Sequence, residues 1–142
     1  MVKSLQGELI MKIIGINGSP KREKSQTRRL VLGVLEGARQ AGADVTFVDI
    51  CGLEIRYCTA CGTCYAKGEC IHDDDFPALL EKMLDADGIV WGSPNYINSV
   101  TAQLKTMFDR WRIRSTASPL PESTAAPSPR QAAQWQTRLR II

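Results

Sequence analysis

The chain first takes on a recognisable pattern at Met11-Lys-Ile-Ile-Gly-Ile-Asn-Gly-Ser-Pro20, and this segment sets the class of fold. Its run 13–17 is short, apolar almost throughout and rich in β-branched residues, and it ends at Gly18. Such a run is typical of a central parallel strand that is covered on both faces. We interpret residues 1–10 as an N-terminal extension and expect a domain to begin at Met11.

The next segment completes a strand–helix–strand unit. Ser25 is a good N-cap residue, Gly42 is a plausible C-terminal stop, and residues 44–50 have the composition of a second strand. Two strands joined by a helix favour a parallel pair with a crossover connection. The apolar positions expected to face the sheet are Leu30, Val31, Val34, Leu35 and Ala38.

The same alternation continues downstream. One of Asp73, Asp74 and Asp75 is expected to cap a helix that has Pro77 in its first turn. A third strand, 88–92, then leads through the loop 93–99 into a helix from about 99 to 111. The order predicts an α/β fold with a doubly wound parallel sheet. The predicted buried stripes are Leu79, Leu80, Met83 and Leu84 in one helix, and Leu104, Met107, Phe108 and Trp111 in the other.

The periodic pattern ends near Arg112. Residues 114–138 are rich in Ser, Ala, Pro, Gln and Arg, which predicts a disordered tail. A five-stranded sheet of this type needs about 150 patterned residues, so the sheet is expected to be truncated after about three strands. We therefore divide the chain into an extension (1–10), a partial domain (11–112) with a cysteine loop (51–72), and a tail (113–142). The tail is either out-of-frame translation or a natural disordered extension.

Composition narrows the functional classes. A chain of 142 residues with 44% hydrophobic content can bury one ordinary core. The net charge of +3 comes from the tail, since residues 1–109 carry −2 and residues 110–142 carry +5. The tail contains no Lys and no regular basic face, so nucleic-acid binding is not expected. The absence of a long apolar run or a signal-peptide pattern predicts a cytoplasmic protein that does not bind membranes.

Four cysteines are crowded into thirteen residues with the spacing C-x2-C-x2-C-x5-C: Cys58, Cys61, Cys64 and Cys70. Thiolates brought to one point by such turns can hold an iron–sulfur cluster or Zn2+. The spacing alone leaves three alternatives open, namely a cluster, zinc, or free thiols. Cys51 is expected to pack or to have no role, and His72 to be a surface residue near a helix cap rather than a ligand.

Two loops are expected at the carboxyl edge of the sheet, where open α/β sheets bind ligands. Residues 18–27 supply hydroxyl groups at a helix N-terminus, which suits a phosphate, although they match neither G-x-G-x-x-G nor G-x-x-x-x-G-K-[ST]. Residues 93–98 offer a proline, two asparagines and the aromatic face of Tyr96, which suit a flat heterocycle. The alternative for each loop is an ordinary surface turn. Together the two loops suggest a phosphorylated aromatic cofactor.

Three motifs in order resemble the NADPH-dependent FMN reductase superfamily of flavodoxin-like proteins: the segment 11–20, the cysteine run, and Gly92-Ser-Pro-Asn-Tyr-Ile-Asn-Ser-Val-Thr-Ala-Gln-Leu-Lys105 leading to Phe-Asp-Arg110. The cysteine spacing is similar to that of the iron–sulfur flavoproteins within it, whose motif is C-x2-C-x2-C-x4-7-C. The resemblance covers residues 11 to about 111. The strands that would follow the third one in this family are missing from the pattern.

The resemblance implies an FMN-dependent electron-transfer oxidoreductase that uses ferredoxin or NAD(P)H as electron donor, forms homo-oligomers and needs no catalytic side chain. The implied ligands of a [4Fe–4S] cluster are Cys58, Cys61, Cys64 and Cys70. The implied FMN contacts are Ser19, Ser25, Gln26 and Thr27 at the phosphate, and Pro94, Asn95, Tyr96, Ile97 and Asn98 at the isoalloxazine. The alternatives are an NAD(P)H-dependent FMN or quinone reductase without a cluster, a zinc-stabilised binding module, and a non-functional fragment.

Overall fold

The computed structural model describes residues 10–116, with side chains for residues 10–111. This range contains three strands and four α-helices, and two of the helices follow one another between the second and third strands. Short 3-10 turns follow the first strand and the second one, at Arg22–Lys24 and Ile50–Gly52. The strands are β1 (Lys12–Asn17), β2 (Asp44–Asp49) and β3 (Gly88–Gly92), and the helices are α1 (Gln26–Gln40), α2 (Thr63–Lys67), α3 (Phe76–Asp85) and α4 (Ala102–Thr116).

The sheet is parallel and β1 lies at its centre. The strand order is β2-β1-β3, with Ile14 opposite Thr46 on one side and opposite Ile89 on the other. Ile14 and Ile16 are 1% and 0% exposed, as expected for a strand covered on both faces. This order is that of the first three strands of a flavodoxin-like sheet. The predicted α/β fold with a doubly wound parallel sheet is therefore confirmed.

Helix α1 packs on one face of the sheet through a narrow ridge. A Cβ atom on Gly15 would lie 2.7 Å from Leu35 Cδ1 and 2.8 Å from Val31 Cγ1, so the glycine permits this close approach. Because the helix touches the sheet along this i, i+4 ridge, the predicted burial of Leu30 and Val34 is wrong. Their side chains are 72% and 41% exposed.

The opposite face of the sheet carries the main hydrophobic core. Alternating side chains of a strand point to opposite faces, so Ile14 and Ile16 lie across the sheet from the α1 ridge. They pack with residues of α3 and α4, the most buried of which are Phe76, Leu79, Met83, Leu104 and Met107. Leu84 is an exception to the predicted stripe of α3, because it lies at the solvent side of the helix with 44% exposure.

The last helix differs from its prediction at both ends. It begins at Ala102, since residues 96–99 form a turn, and it runs to Thr116. Residues 114–116, predicted to be disordered, are thus helical, while the rest of the predicted tail lies outside the described residues. No helix in the described range is both long enough and apolar enough to cross a membrane.

Candidate cofactor site

The two predicted loops meet at the carboxyl edge of the sheet. The backbone N–H of Gly18 donates a 2.7 Å hydrogen bond to the carbonyl of Gly92, which joins the ends of β1 and β3. The hydroxyl of Thr101, which is fully buried, donates to the carbonyl of Gly18 at 2.7 Å. The loop after β1 and the loop after β3 are therefore fixed to each other by one backbone hydrogen bond and one side-chain hydrogen bond.

The loop after β1 places two buried hydroxyl groups before helix α1. Ser19 and Ser25 are each 2% exposed. Ser25 Oγ accepts the N–H of Arg28 at 3.2 Å, which confirms the predicted cap, and Ser19 Oγ accepts the N–H of Lys21 at 3.4 Å. Since each oxygen acts as an acceptor in these bonds, each O–H can still donate. With the dipole of a fifteen-residue helix, this chemistry fits a phosphate.

The other two predicted phosphate contacts begin helix α1. Thr27 is half-buried, with its methyl group close to the backbone of Gly92. Gln26 is exposed, and its Oε1 accepts a hydrogen bond from Arg29 at 3.2 Å. Three of the four predicted phosphate residues thus lie at the start of α1, while Ser19 lies at the beginning of the loop that precedes the helix.

The loop after β3 contains a tight turn at its tip. The backbone groups of Tyr96 and Ser99 exchange hydrogen bonds of 2.9 and 3.0 Å, and the two residues between them, Ile97 and Asn98, have φ angles of 49° and 57°. Ile97 is 99% exposed and Tyr96 45% exposed. A left-handed conformation is common for Asn and strained for a β-branched residue such as Ile.

A cavity of about 1290 Å3 opens beside this loop. Of the predicted heterocycle contacts, Pro94, Asn95 and Asn98 line it, and Tyr96 and Ile97 do not. Aromatic and aliphatic side chains also line it, and so do the four clustered cysteines. These further lining residues include Trp91, Val100, Leu104, Phe108 and Trp111, together with Cys58, Cys61, Cys64 and Cys70.

The cysteine loop has its own local structure, which the sequence did not predict. Helix α2 occupies its middle, and the left-handed glycines Gly62 and Gly68 begin and end it. Cys58 and Cys61 are exposed ahead of this helix. Cys64 on the helix and Cys70 after it are half-buried and pack against the edge of the core.

All four thiols face one cavity, but they do not converge. Within the described range, no three His, Cys, Asp or Glu side chains are grouped closely enough to hold a metal ion. Four thiols have no mutual attraction that would draw them together, and the energy that organises such a site comes from metal binding. The donor set fits a cluster by its chemistry, and Gly62 and Gly68 have open space around them for loop movement.

Two of the thiols have shifted acidity. Hydrogen bonds from the side chain and backbone of Thr63 lower the pKa of Cys61 below its ordinary value, which favours the thiolate. Burial, with the negative charge of Asp49, raises the pKa of Cys51. Cys51 does not line the cavity.

Several polar residues of the site were missed or misplaced by sequence reasoning. His72 lines the cavity and is half-buried rather than on the surface; its Nε2 has no hydrogen-bond partner among the described residues. Asn17 ends β1 fully buried, where its amide oxygen accepts the N–H of Ser19 and its nitrogen donates to Asp49. A polar residue ending an apolar strand was the available signal for Asn17. Arg110, also missed, is 2% exposed.

Comparison with known proteins bears on these features. A family model described as NADPH-dependent FMN reductase matches residues 11–136. An iron–sulfur flavoprotein of Methanocaldococcus jannaschii is 41% identical over 102 residues, which are 72% of this chain and 52% of that protein. One of Archaeoglobus fulgidus is 41% identical over 100 residues, covering 70% of this chain and 45% of that protein. The chain thus spans about half the length of these curated relatives.

Solved structures show the same architecture. A flavone reductase superposes with a TM-score of 0.57 at 36% identity, over 71% of this chain and 30% of that one. An azoreductase from Bacillus anthracis superposes with a TM-score of 0.57 over 72% of this chain and 55% of that one, at 19% identity, which shows the fold alone. The curated proteins similar to this chain that are described above are iron–sulfur flavoproteins. Because the family model matches most of the length of this chain, the chain belongs to the NADPH-dependent FMN reductase family.

Proposed function

We propose that this protein is an FMN-dependent oxidoreductase that passes electrons between an external donor and an acceptor through a [4Fe–4S] cluster and FMN. The observation that carries the proposal is the shared cavity. The four clustered thiols line the same space as Pro94, Asn95 and Asn98, at the carboxyl edge of the sheet. A flavin accepts one or two electrons and a cluster exchanges one at a time, so the protein needs to place the two groups close together.

The phosphate of FMN would be held at the start of α1. Ser19 and Ser25 would donate their hydroxyl hydrogens, and Gln26 and Thr27 lie on the first turn, where backbone N–H groups lack helical partners. The side of the cavity formed by Pro94 and Asn95 would hold the ring. Tyr96, Ile97 and Asn98 remain proposed contacts of the ring. The cluster would be held by Cys58, Cys61, Cys64 and Cys70.

Anaerobic purification tests the cluster. We expect flavin absorption bands together with a broad brown absorption, and about four iron and four sulfide per chain. In the variant Cys61→Ala the brown absorption should be lost. The matched control is Cys51→Ala, which removes a thiol outside the cavity and should leave the spectrum unchanged. A brown protein whose spectrum survives Cys61→Ala would contradict the assigned ligands.

The phosphate site is tested by comparing FMN with riboflavin, which lacks the phosphate. Removing one hydrogen bond to a charged group costs about 1.5 kcal/mol, or roughly tenfold in affinity. Ser19→Ala should therefore weaken FMN binding about tenfold and leave riboflavin binding unchanged. The control Thr46→Ala changes an exposed hydroxyl on β2, away from this loop, and should affect neither ligand. Equal affinity of the wild-type protein for the two ligands would place the phosphate elsewhere.

A second candidate is an NAD(P)H-dependent FMN or quinone reductase without a cluster. It is favoured by the separation of the thiols, no three of which form a metal-binding group in the described part of the chain. Flavin bands with no brown absorption, and no iron, would support this candidate. A colourless protein that contains zinc would exclude both redox functions.

The external partners are part of the proposal. The expected donor is ferredoxin or NAD(P)H, and the expected assembly is a homo-oligomer. Stopped-flow reduction of the flavin by each donor distinguishes them, and light scattering gives the mass of the assembly. A monomer that binds FMN at full occupancy would show that the oligomer is not needed for cofactor binding.

A further inference from the structure

The two ends of the cysteine loop lie side by side. The N–H of Arg56 donates to Asp74 Oδ2 at 2.9 Å. One step further out, the N–H of Glu54 donates to Asp75 Oδ2 at 2.7 Å, and the N–H of Asp75 donates back to the carbonyl of Glu54 at 3.0 Å. We call residues 54–56 and 74–75 the neck of the loop. Everything between its two sides, including the four thiols, is attached through it.

One side chain from another element closes this neck. Nη1 of Arg110, on α4, donates to the carboxylate of Asp74 and also to the carbonyl of Arg56 at 3.3 Å. Arg110 thus binds the segment that enters the loop and the segment that leaves it at the same time. Its guanidinium lies over the ring of Phe76, 4.5 Å from the centroid, which fixes its position further.

The contact is buried, which makes it sensitive to the loss of either partner. The side chains of Arg110 and Asp74 are 1% and 0% exposed. Burial alone would raise the pKa of Asp74, but hydrogen bonds from Arg110, Arg56 and Phe76 outweigh it and hold the pKa below its ordinary value. Without Arg110, a buried carboxylate at the neck would have no opposite charge, and such a group favours an opening that lets water in.

Arg110 also reaches the cavity that the cysteines share. It lines that cavity together with the four thiols and His72. Its Nε and Nη2 have no hydrogen-bond partner within the described residues. One nitrogen of the guanidinium therefore closes the neck, and the side chain adds a permanent positive charge to the residues that line the cavity.

We propose that Arg110 is the positioning residue of the cysteine loop: by tying both sides of the neck to α4, it sets where the four thiols lie relative to the cavity. The inference rests on the proposed function in one respect, namely that the loop holds its four thiols in place to bind a cluster. Its test does not require a bound cofactor, so the two can fail separately.

The test is alkylation of the reduced, metal-free full chain with iodoacetamide, followed at each cysteine by mass spectrometry. In the wild-type protein Cys58 and Cys61, which are exposed, should react faster than Cys64 and Cys70, which are half-buried. Arg110→Met should raise the rates of Cys64 and Cys70 by about tenfold or more, since local opening exposes them. Cys51, which precedes the neck in the chain, should keep its wild-type rate and reports on the rest of the fold.

Two further variants complete the design. Lys105→Met is the matched control, because it removes the exposed ion pair of Lys105 with Asp109 on the same helix and should change no cysteine rate. Arg110→Lys keeps the charge without the guanidinium and should restore part of the protection. The same series is then titrated with Co2+, whose thiolate complexes are coloured, and its affinity should fall in the order wild type, Arg110→Lys, Arg110→Met.

Each outcome decides the matter. Selective acceleration of Cys64 and Cys70 supports the proposal. Wild-type rates for these two residues in Arg110→Met would overturn it. If Arg110→Met does not fold, as acceleration of Cys51 would show, Asp74→Asn provides the same comparison with a milder change. If alkylation of Cys51 and of Cys70 is accelerated equally in Arg110→Met and in Asp74→Asn, the ion pair of Arg110 with Asp74 stabilises the whole fold. That result would also overturn the proposal.

Discussion

Asp74 and Arg110 form an ion pair whose side chains are 0% and 1% exposed. A buried ion pair is weak evidence for net stabilisation, because desolvation opposes the attraction of the charges. Removing one partner is a different matter, since the other charge then remains buried and unpaired. The neck residues therefore contribute to the position of the loop more than to the free energy of the whole fold.

The lowered pKa of Asp74 predicts how stability depends on pH. The unfolded carboxyl has a pKa of about 3.9 and the folded one lies below that. The unfolded chain thus binds this proton more readily, and the contribution of Asp74, complete at neutral pH, is lost as the pH falls below about 4 through the folded pKa. Denaturant unfolding at pH 7 and pH 3 should show a smaller loss in Asp74→Asn than in the wild type. An equal loss would mean that other carboxyl groups carry the dependence.

Two glycines offer a matched pair of substitutions. A Cβ on Gly92 would lie 2.4 Å from Val31 Cγ2 and 2.9 Å from Thr27 Cγ2, whereas one on Gly33, exposed on α1, meets nothing within 4 Å. Gly92→Ala should therefore destabilise the fold by about 1–3 kcal/mol through overpacking. Gly33→Ala should stabilise it by about 0.8 kcal/mol through helix propensity. Both are read from thermal or urea unfolding, and a stabilising Gly92→Ala would refute the packing of β3 against α1.

Single residues with a local role were predictable from the sequence, and those with a distant partner were not. Ser25 as a cap and Gly42 as a left-handed stop, with φ of 90°, are set by their chain neighbours and are confirmed. The partner of Arg110 lies 36 residues away. Its position next to the apolar stripe of α4 indicated burial, but no local pattern named Asp74 as the group that makes this burial possible.

Among the elements, the strands were predicted closely because their signals are strong. β1 and β3 are short apolar runs bounded by glycine or by polar residues, and both are confirmed as parallel strands. Helix α2 was missed because its five residues are too few to show a helical period. It is defined by its glycine ends rather than by a buried stripe.

The turn after β3 contains a residue whose backbone conformation a substitution could relieve of strain. Ile97 holds a left-handed conformation with its side chain 99% exposed, so it gains little from burial. A left-handed conformation costs an ordinary residue about 1–2 kcal/mol, and less for Asn. Ile97→Asn should raise the free energy of unfolding by about 1 kcal/mol, measured by urea denaturation. If FMN affinity falls at the same time, Ile97 is a contact of the ring as well as a strained residue.

The cysteine loop shows the limit of prediction from spacing. The four residues and their common destination could be predicted, since all of them line one cavity. The convergence of the thiols that the spacing predicted is absent from the described range, where no three such side chains form a metal-binding group. The distances between the thiols depend on a metal, on helix α2 and on the neck. None of these contributions is visible in a count of intervening residues.

At the scale of the whole molecule, β3 is an edge strand within the described range, where it pairs with β1 alone. Trp91 on this strand packs against Phe108 and Trp111 with ring centroids 5.0 and 5.2 Å apart. The three rings form a continuous aromatic wall of the cavity. A bound flavin would lie near this wall, because the proposed ring contacts line the same space.

This arrangement predicts a change in tryptophan fluorescence. Titration with FMN should quench most of the emission of Trp91 and Trp111, and Trp91→Phe should reduce the amplitude without a large change in affinity. Inorganic phosphate is the control, since it can occupy the loop after β1 without reaching the aromatic wall. Quenching of the same size in Trp91→Phe and in Trp111→Phe variants, equal to that of the wild type, would place the flavin outside the cavity.

The neck also bears on how such a protein can be altered. Because the chain enters and leaves the loop side by side, at Arg56 and Asp74, we expect that the intervening residues can change in length without shifting the strands. Doubling the length of a flexible loop costs only about 0.6 kcal/mol. Residues 57–73 should therefore be replaceable in this flavodoxin-like fold. A short turn in their place, between Arg56 and Asp74, should leave the sheet intact and remove the four clustered thiols in a single step.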